Sequence, residues 1–179
     1  MDAGGEHLMD QPEAIIRGAR PGDARAIEEV IQRAYAEYRG RVKPPFQALS
    51  ATAEEIAAEI RVPGRGYLVA EVGPDIVGAL RYRRMKVNGR RVMELSRLAV
   101  DPDYRQLGLG RRLMAEAERR ALRAGITELR GNVRAVLKGL LDYYGRMGFR
   151  PLGRRSKPGY PRYLIVIGKR LPEGAPGIK

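Results

Sequence analysis

Cysteine is absent from this chain of 179 residues, and histidine occurs once, as His7 in a polar N-terminal stretch. Without cysteine there are no disulfides, no thiolate metal sites and no cysteine nucleophile, which agrees with a reducing cytosol. A lone histidine excludes a multi-histidine metal site, and its polar surroundings argue against a histidine general base. Whatever chemistry the protein performs runs on carboxylates, tyrosines, hydroxyls, lysines or backbone groups, and no metal is expected. Long apolar runs are missing as well, and "MDAGGEHLMDQPE" is too acidic and polar for a secretory signal, so a soluble, cytoplasmic protein without membrane partners is expected.

What the sequence has in excess is positive charge. Lys and Arg number 34 against 21 Asp and Glu, a formal charge of +13. That balance favours an anionic partner: nucleic acid, a phosphorylated cofactor or an acidic surface. The basic residues are scattered through every segment, with no zinc-finger spacing, no aromatic RNA-binding box and no basic tail. Nucleic acid is therefore disfavoured as the main partner, though charge alone does not exclude it. The length suits one compact domain, which at this size buries roughly 70% of the unfolded surface.

Hydrophobic spacing alternates between helix and strand. Residues 14–18, "AIIRG", read as a first strand. Asp23 stands where a cap would open a helix whose apolar stripe is Ile27, Val30, Ile31, Ala34 and Tyr38. Consecutive prolines make 39–50 a loop, and Thr52 with Glu55 forms a capping box before a second helix. "YLVAEV" (67–72), "IVGALRYRRMKV" (76–87) and "RRVMELSRLAV" (90–100) read as an antiparallel meander, turned at Gly73-Pro74-Asp75 and at Asn88-Gly89. A helix with Leu113, Met114, Ala117 and Ala121 on one side follows, capped by Gly125. Then come a strand in "ITELRGNV", a helix in "VLKGLLDYYGRM" stopped at Gly148, and strands at 149–153 and 161–168 flanking a basic loop, "RRSKPGYPR". No repeat or linker divides the chain. One domain over 14–170, a mixed sheet with helices on its faces, is the economical architecture, with 1–13 and 171–179 as flexible ends.

The chemistry-bearing stretch is "AVDPDYRQLGLGRRLM", residues 99–114, where a strand passes through a basic, glycine-bearing loop into a helix. A helix N-terminus presents unpaired N–H groups and partial positive charge, and glycines let a phosphate approach them. A dinucleotide fingerprint needs a third glycine where Leu113 stands, and a P-loop needs Gly-Lys-Ser/Thr. Neither fits. Glycines before a helix also make ordinary tight turns, so the context decides: a meander strand before the loop, an amphipathic helix after it, then strand, helix, "YYGRMGF" and strand.

On those residues the sequence resembles the GNAT superfamily of acetyl-CoA-dependent N-acetyltransferases. Its loop signature, Arg/Gln-x-x-Gly-x-Gly/Ala, is met by Arg105, Gln106, Leu107, Gly108, Leu109 and Gly110. "RLAVDPDYR" looks like the family's fourth strand and its exit, and "YYGRMGF" like its tyrosine-bearing helix followed by Gly-Phe. "IIRGARPGDARAIEEVIQRAY" looks like its first strand and helix. The resemblance spans 14–168 and implies an α+β fold, a mixed, mostly antiparallel sheet flanked by helices. It further implies that the amides of Gln106 through Arg111 hold the diphosphate of CoA, with Arg105 as a nearby positive group. Leu98, Ala99 and Val100 would meet the pantetheine arm, in a groove where the fourth strand splays from 126–133 at Val100.

Tyr144, five residues before Phe149, matches the family tyrosine that donates to the departing CoA sulfur. A phenol near pKa 10 facing a thiolate near 8.5 makes full proton transfer uphill by about 2 kcal/mol, so a positioned donor describes it better. Tyr143, about 100° around the helix, is the candidate for plain packing. One departure is Leu137, where relatives often carry an asparagine for the pantetheine arm; Asn132 is too early to match. For the base, strand alternation puts Glu94 on one face with Ser96, Leu98 and Val100, while a surface glutamate paired with Arg81, Arg83 or Arg97 is the competing reading. A base matters most for a lysine-like amine near 10.4, whose deprotonation at neutral pH costs roughly 4–5 kcal/mol, against about 1 for an α-amine near 7.8.

Together these imply transfer of acetyl from acetyl-CoA to a primary amine of a small molecule or peptide, by direct attack in a ternary complex (acyltransferase, EC 2.3.1.-). A homodimer is compatible with the family. The basic stretches that would shape the acceptor site, 38–50 and 154–162, suit an acceptor bearing a carboxylate or phosphate. Two other readings stay open. One is a basic CoA- or nucleic-acid-binding protein without catalysis. The other is a transferase of longer acyl chains, since "ELSRLAV" is similar to GNAT-related synthases.

Overall fold

A computed structural model describes residues 13–172 and shows a seven-stranded sheet in the order β1-β2-β3-β4-β5-β7-β6. The strands are β1 (Ile15–Gly18), β2 (Arg65–Val72), β3 (Asp75–Val87), β4 (Arg90–Val100), β5 (Glu128–Arg134), β6 (Arg150–Lys157) and β7 (Tyr160–Arg170). The helices are α1 (Ala24–Tyr35), α2 (Ala53–Ile60), α3 (Leu109–Arg123) and α4 (Lys138–Gly145). Only the β4–β5 pairing is parallel. No helix among the described residues is long and apolar enough to cross a membrane.

The local signals act as the sequence reading expects. Asn88 (φ 49°) and Gly89 (φ 78°) both adopt the left-handed conformation that a two-residue hairpin turn needs. The Thr52 hydroxyl accepts from Glu55 N and the Glu55 carboxylate accepts from Thr52 N, each at 3.3 Å, opening α2 with a reciprocal cap. α3 lays Leu113, Met114, Ala117 and Ala121 on one sheet face, against Leu80, Met93, Leu129 and Ile167. α1 lays Ile27, Val30 and Ile31 on the other, with Ile56 of α2, against Tyr67, Val69, Ala79 and Ala99. Leu113 is fully buried, and burying a leucine contributes about 1.5–3 kcal/mol, so this two-sided packing holds the layers together.

Several expectations are corrected. Asp23 makes no side-chain cap to α1; its carboxylate turns back to accept from Arg20 N at 2.7 Å and pairs with Arg17 at 2.7 Å. The Arg17 guanidinium also reaches Glu71 at 2.6 Å, and its hydrogen bond holds the Asp23 carboxyl below its ordinary value. The basic stretch 154–162 is no loop: β6 and β7 run on to pair Lys157 with Tyr160. β6 is exposed on both faces, so it carries no alternation to read, and its arginines and lysine discourage further strand addition at this edge. Leu171, assigned to a flexible end, is buried, and its amide donates to Thr127 O at 2.8 Å. The other residues of the expected flexible ends lie outside the described residues, apart from Glu13 and Pro172 at its limits.

Two further departures shape the functional region. β4 and β5 register only at Met93–Leu129 and Glu94–Arg130, so the strands part just after Glu94, well before Val100. On the opposite edge of β4, Arg81 pairs with Ser96 and Ala79 with Ala99, leaving Arg97 and Leu98 to oppose Leu80 alone. This is a β-bulge, and Arg97 takes a left-handed φ of 52° within it. The extra residue reverses the alternation. Met93 and Leu95 face α3, as do Leu98 and Val100 beyond the bulge, while Ala99 packs on the α1 side. Glu94 therefore does not share a face with Leu98 and Val100.

Candidate active site

The parting of β4 from β5 opens a cleft of about 1110 Å³. Its walls are the end of α1 and the 38–48 segment on one side, the head of α3 and α4 on another, and the β6–β7 hairpin at the rim. Among the residues singled out in the sequence, Glu94, Leu98, Ala99, Val100, Arg105, Gln106, Gly108, Leu109, Gly110, Arg111 and Tyr144 all line it. Leu107 does not; it is half exposed. Asn132 lines the cleft from β5, whereas Leu137 forms the N-cap of α4 without a capping side chain.

At the head of α3, Gly108 is the N-cap with φ 73°, preceded by Gln106 at φ 68°. Left-handed conformations at these two positions, with Leu107 between them, suit Gly and strain Gln, and the residues that open α3, Leu109 to Arg111, line the cleft. No side chain caps these amides. The donors are therefore free, and they carry the positive end of the helix dipole, a donor set suited to a diphosphate. Arg111 flanks them with no ion pair among the described residues. Arg105 is instead engaged: it pairs with Glu37 at 2.8 Å and donates to Ala34 O at 3.1 Å, tying the loop to the end of α1. Arg33 reinforces that tie through Asp101 (3.1 Å) and Asp103 (3.0 Å).

Gly110 stands where a side chain has no room. A Cβ there would lie 2.5 Å from the Tyr143 hydroxyl. Tyr143, expected to serve only packing, thus presses its hydroxyl against the first turn of α3 and lines the cleft. Its approach to Gly110 joins residues 33 positions apart, which no local sequence signal announces. Tyr144 turns to the other side, its ring 5.9 Å from Phe149 and 5.3 Å from Tyr143. Burial pushes its phenol well above the ordinary value, and Tyr35 adds to that. The Tyr144 hydroxyl makes no hydrogen bond among the described residues, and Tyr144 lines the cleft. Tyr35, likewise raised by burial, donates to Leu98 O at 3.2 Å and so anchors α1 to the bulge.

Glu94 pairs with Arg83 at 2.9 Å, and its side chain is 14% exposed. The expected pairing with Arg83 is therefore present, and Glu94 also lines the cleft. Arg81 clasps Glu59 of α2, and Arg97 donates to the Tyr67 hydroxyl at 2.7 Å. Arg134 was missed by the sequence reading. It ends β5, is 7% exposed, donates to Pro45 O at 3.0 Å and lies over the rings of Phe46 (4.8 Å) and Tyr163 (4.9 Å). The cleft therefore brings together the backbone donors of the α3 head, a buried tyrosine, a carboxylate and a cluster of positive charge.

Known proteins match this architecture. PaiA N-acetyltransferase from Thermoplasma acidophilum, solved with coenzyme A, aligns over 88% of this chain and 99% of its own, with TM-score 0.71 at 21% identity. YncA of Salmonella typhimurium, solved with its cofactor acetyl-CoA, aligns over 93% and 98%, with TM-score 0.71 at 20% identity. The ribosomal-protein-S18-alanine N-acetyltransferase of Escherichia coli aligns over 93% and 99%, with TM-score 0.68 at 18% identity. No curated protein sequence matches. The Acetyltransferase (GNAT) family model matches residues 27–149, from α1 through the glycine loop to Phe149, and on that match the chain belongs to the GNAT acetyltransferase family.

Proposed function

We propose that the protein transfers the acetyl group of acetyl-CoA to a primary amine held in the same cleft. The observation that carries this reading is the continuity of the cleft. The uncapped amides of α3, the unpartnered stretch of β4 and the Tyr144 hydroxyl open into one space. Acetyl-CoA would supply a thioester-activated acetyl group, and the crystallised complexes of PaiA and YncA support it as the donor.

The chain's own residues divide the work. The amides from Gly108 to Arg111, with the Arg111 charge, hold the diphosphate. The β4 backbone at Leu98–Val100 aligns the arm and polarises the acetyl carbonyl, as oriented amides do. Holding amine and thioester in line supplies most of the acceleration, roughly 7–11 kcal/mol in favourable cases. Glu94 takes the ammonium proton through a water, leaving a neutral nitrogen whose lone pair forms the new C–N bond. Tyr144 hydrogen-bonds the sulfur as the C–S bond breaks, and the second proton, which the nitrogen sheds on becoming an amide, passes through water to the released thiolate. Because burial raises that phenol further, it stabilises the leaving thiolate as a donor and does not surrender its proton outright.

Titration calorimetry of the purified protein with acetyl-CoA and CoA, with ATP and NAD as controls, tests the first half. Thiol release on adding an amine panel tests the second. Folded protein that binds no CoA, or binds it and releases no thiol with any amine, would sink the proposal.

A further inference from the structure

Arg134 is a cation without a counter-ion among the described residues. It is more than nine-tenths buried, and its Nη1 has no hydrogen-bond partner among the described residues. Its Nη2 is used by Pro45 O, and its flat faces meet Phe46 and Tyr163. No carboxylate among the described residues reaches it. A guanidinium cannot shed its charge by losing a proton at neutral pH, and buried arginines are almost always paired. The cleft makes the deficit larger. Its lining holds eight Arg or Lys residues and two carboxylates, and both carboxylates are already engaged: Glu37 by Arg105 and Glu94 by Arg83. Arg155 and Lys157, which line the same space from β6, have no ion pair among the described residues.

We infer that Arg134 is the anchor for a carboxylate on the acceptor molecule, so that the natural substrate carries its amine and a carboxylate together, as an amino acid does. This rests on the acetyltransferase reading and specifies the class of acceptor. The geometry fits a carboxylate because Nη1 is left without a partner on a residue that lines the cleft. The residues that present it, Pro45 and Phe46 from the loop and Tyr163 from β7, come from the two segments that wall the acceptor end. Hydrogen bonds to a charged partner are strong enough for this contact to set specificity. Losing such a contact typically changes affinity by about tenfold to a hundredfold.

The test compares L-amino acids with their carboxamides, and both with 2-aminoethylphosphonate, in the thiol-release assay on the full chain. The carboxylates are expected to exceed their amides in kcat/KM by at least about tenfold, the gap lying in KM. Equal rates, or faster amides, overturn the inference, and a phosphonate that exceeds every carboxylate does so too. Arg134→Lys and Arg134→Met should close the gap between acid and amide. If Arg134 merely clips the loop, both substrates lose rate alike and the gap persists, which refutes the assignment.

A readout independent of turnover uses N-acetylamino acids and their amides as probes of the CoA-loaded protein by calorimetry. Binding of the acids alone, abolished in Arg134→Met, supports the anchor even if no amine is ever acetylated. In that outcome the acetyltransferase reading fails while the anchor stands. Acids that bind no better than amides overturn the anchor even where turnover is brisk.

Discussion

Gly110 and Tyr143 offer a sharp test of how the head of α3 is built. Gly110 has an ordinary helical conformation, so alanine there would normally stabilise the helix by about 0.5–1 kcal/mol. Here the new Cβ would lie 2.5 Å from the Tyr143 hydroxyl, far inside any contact distance. Overpacking of this kind costs about 1–3 kcal/mol, so Gly110→Ala should be net destabilising despite its better propensity. The next ring atom, Cζ, would be 3.8 Å away, an ordinary contact. Tyr143→Phe therefore removes the clash entirely, and in that background Gly110→Ala should become stabilising. A double-mutant cycle by urea denaturation reads the coupling, expected at about 1–3 kcal/mol. Additivity within about 0.5 kcal/mol would refute the close approach. Calorimetry with CoA on the same four proteins adds a functional reading: affinity should fall in Gly110→Ala and return in the double variant.

Tyr144→Phe should lower kcat by about tenfold to 150-fold, the worth of one hydrogen bond to a developing anion, while CoA affinity and melting temperature stay near wild type. An unchanged kcat in steady-state assays would make Tyr144 a packing residue. Glu94→Gln should lower kcat/KM at neutral pH by about 10²–10⁴, and the deficit should shrink as pH rises through the acceptor amine's own value. A deficit independent of pH would remove Glu94 as the base. Asp23→Asn tests the Arg17 pair. Because the folded carboxyl lies below its unfolded value near 3.9, its stabilisation is present above about pH 4 and lost as pH falls further. Wild type should therefore exceed the variant by about 1–2 kcal/mol at pH 7 and converge with it in acid, as followed by thermal melts. A difference that grows in acid would contradict the assignment.

Much of the fold was legible because its signals are local. Thr52 with Glu55, Asn88-Gly89 and Gly125 each act within a few residues of themselves, and the stripes of α1 and α3 repeat at helical spacing. The glycine loop was legible for the same reason. What escaped depends on distant parts of the chain. The bulge at Arg97 is a two-against-one pairing with β3, and Arg is not a residue that announces a left-handed turn. It moved Glu94 to the other face from Leu98, which no inspection of "MELSRLAV" alone reveals. Arg134 looks like any strand arginine until Pro45, 89 residues earlier, folds over it. β6 hid because exposure on both faces erases the period-two pattern. Asp23 was misread because Arg17 and Arg20, both nearby, outbid the helix for its carboxylate.

The two registered pairs between β4 and β5 have a consequence for the molecule as a whole. Seven pairs bind β5 to β7 and nine bind β3 to β4, so the sheet is two well-knit panels joined by a short seam. On the proposed reading, the arm of the cosubstrate would lie where backbone should have been. A molecule that bonds to β4 there acts as a surrogate strand, restoring the continuity that the chain leaves out. Occupancy at a hundredfold over Kd adds about 2.7 kcal/mol to folding stability by mass action alone. The empty protein should accordingly breathe along one line, with the amides bordering the seam exchanging first, and its cosubstrate should stitch that line shut.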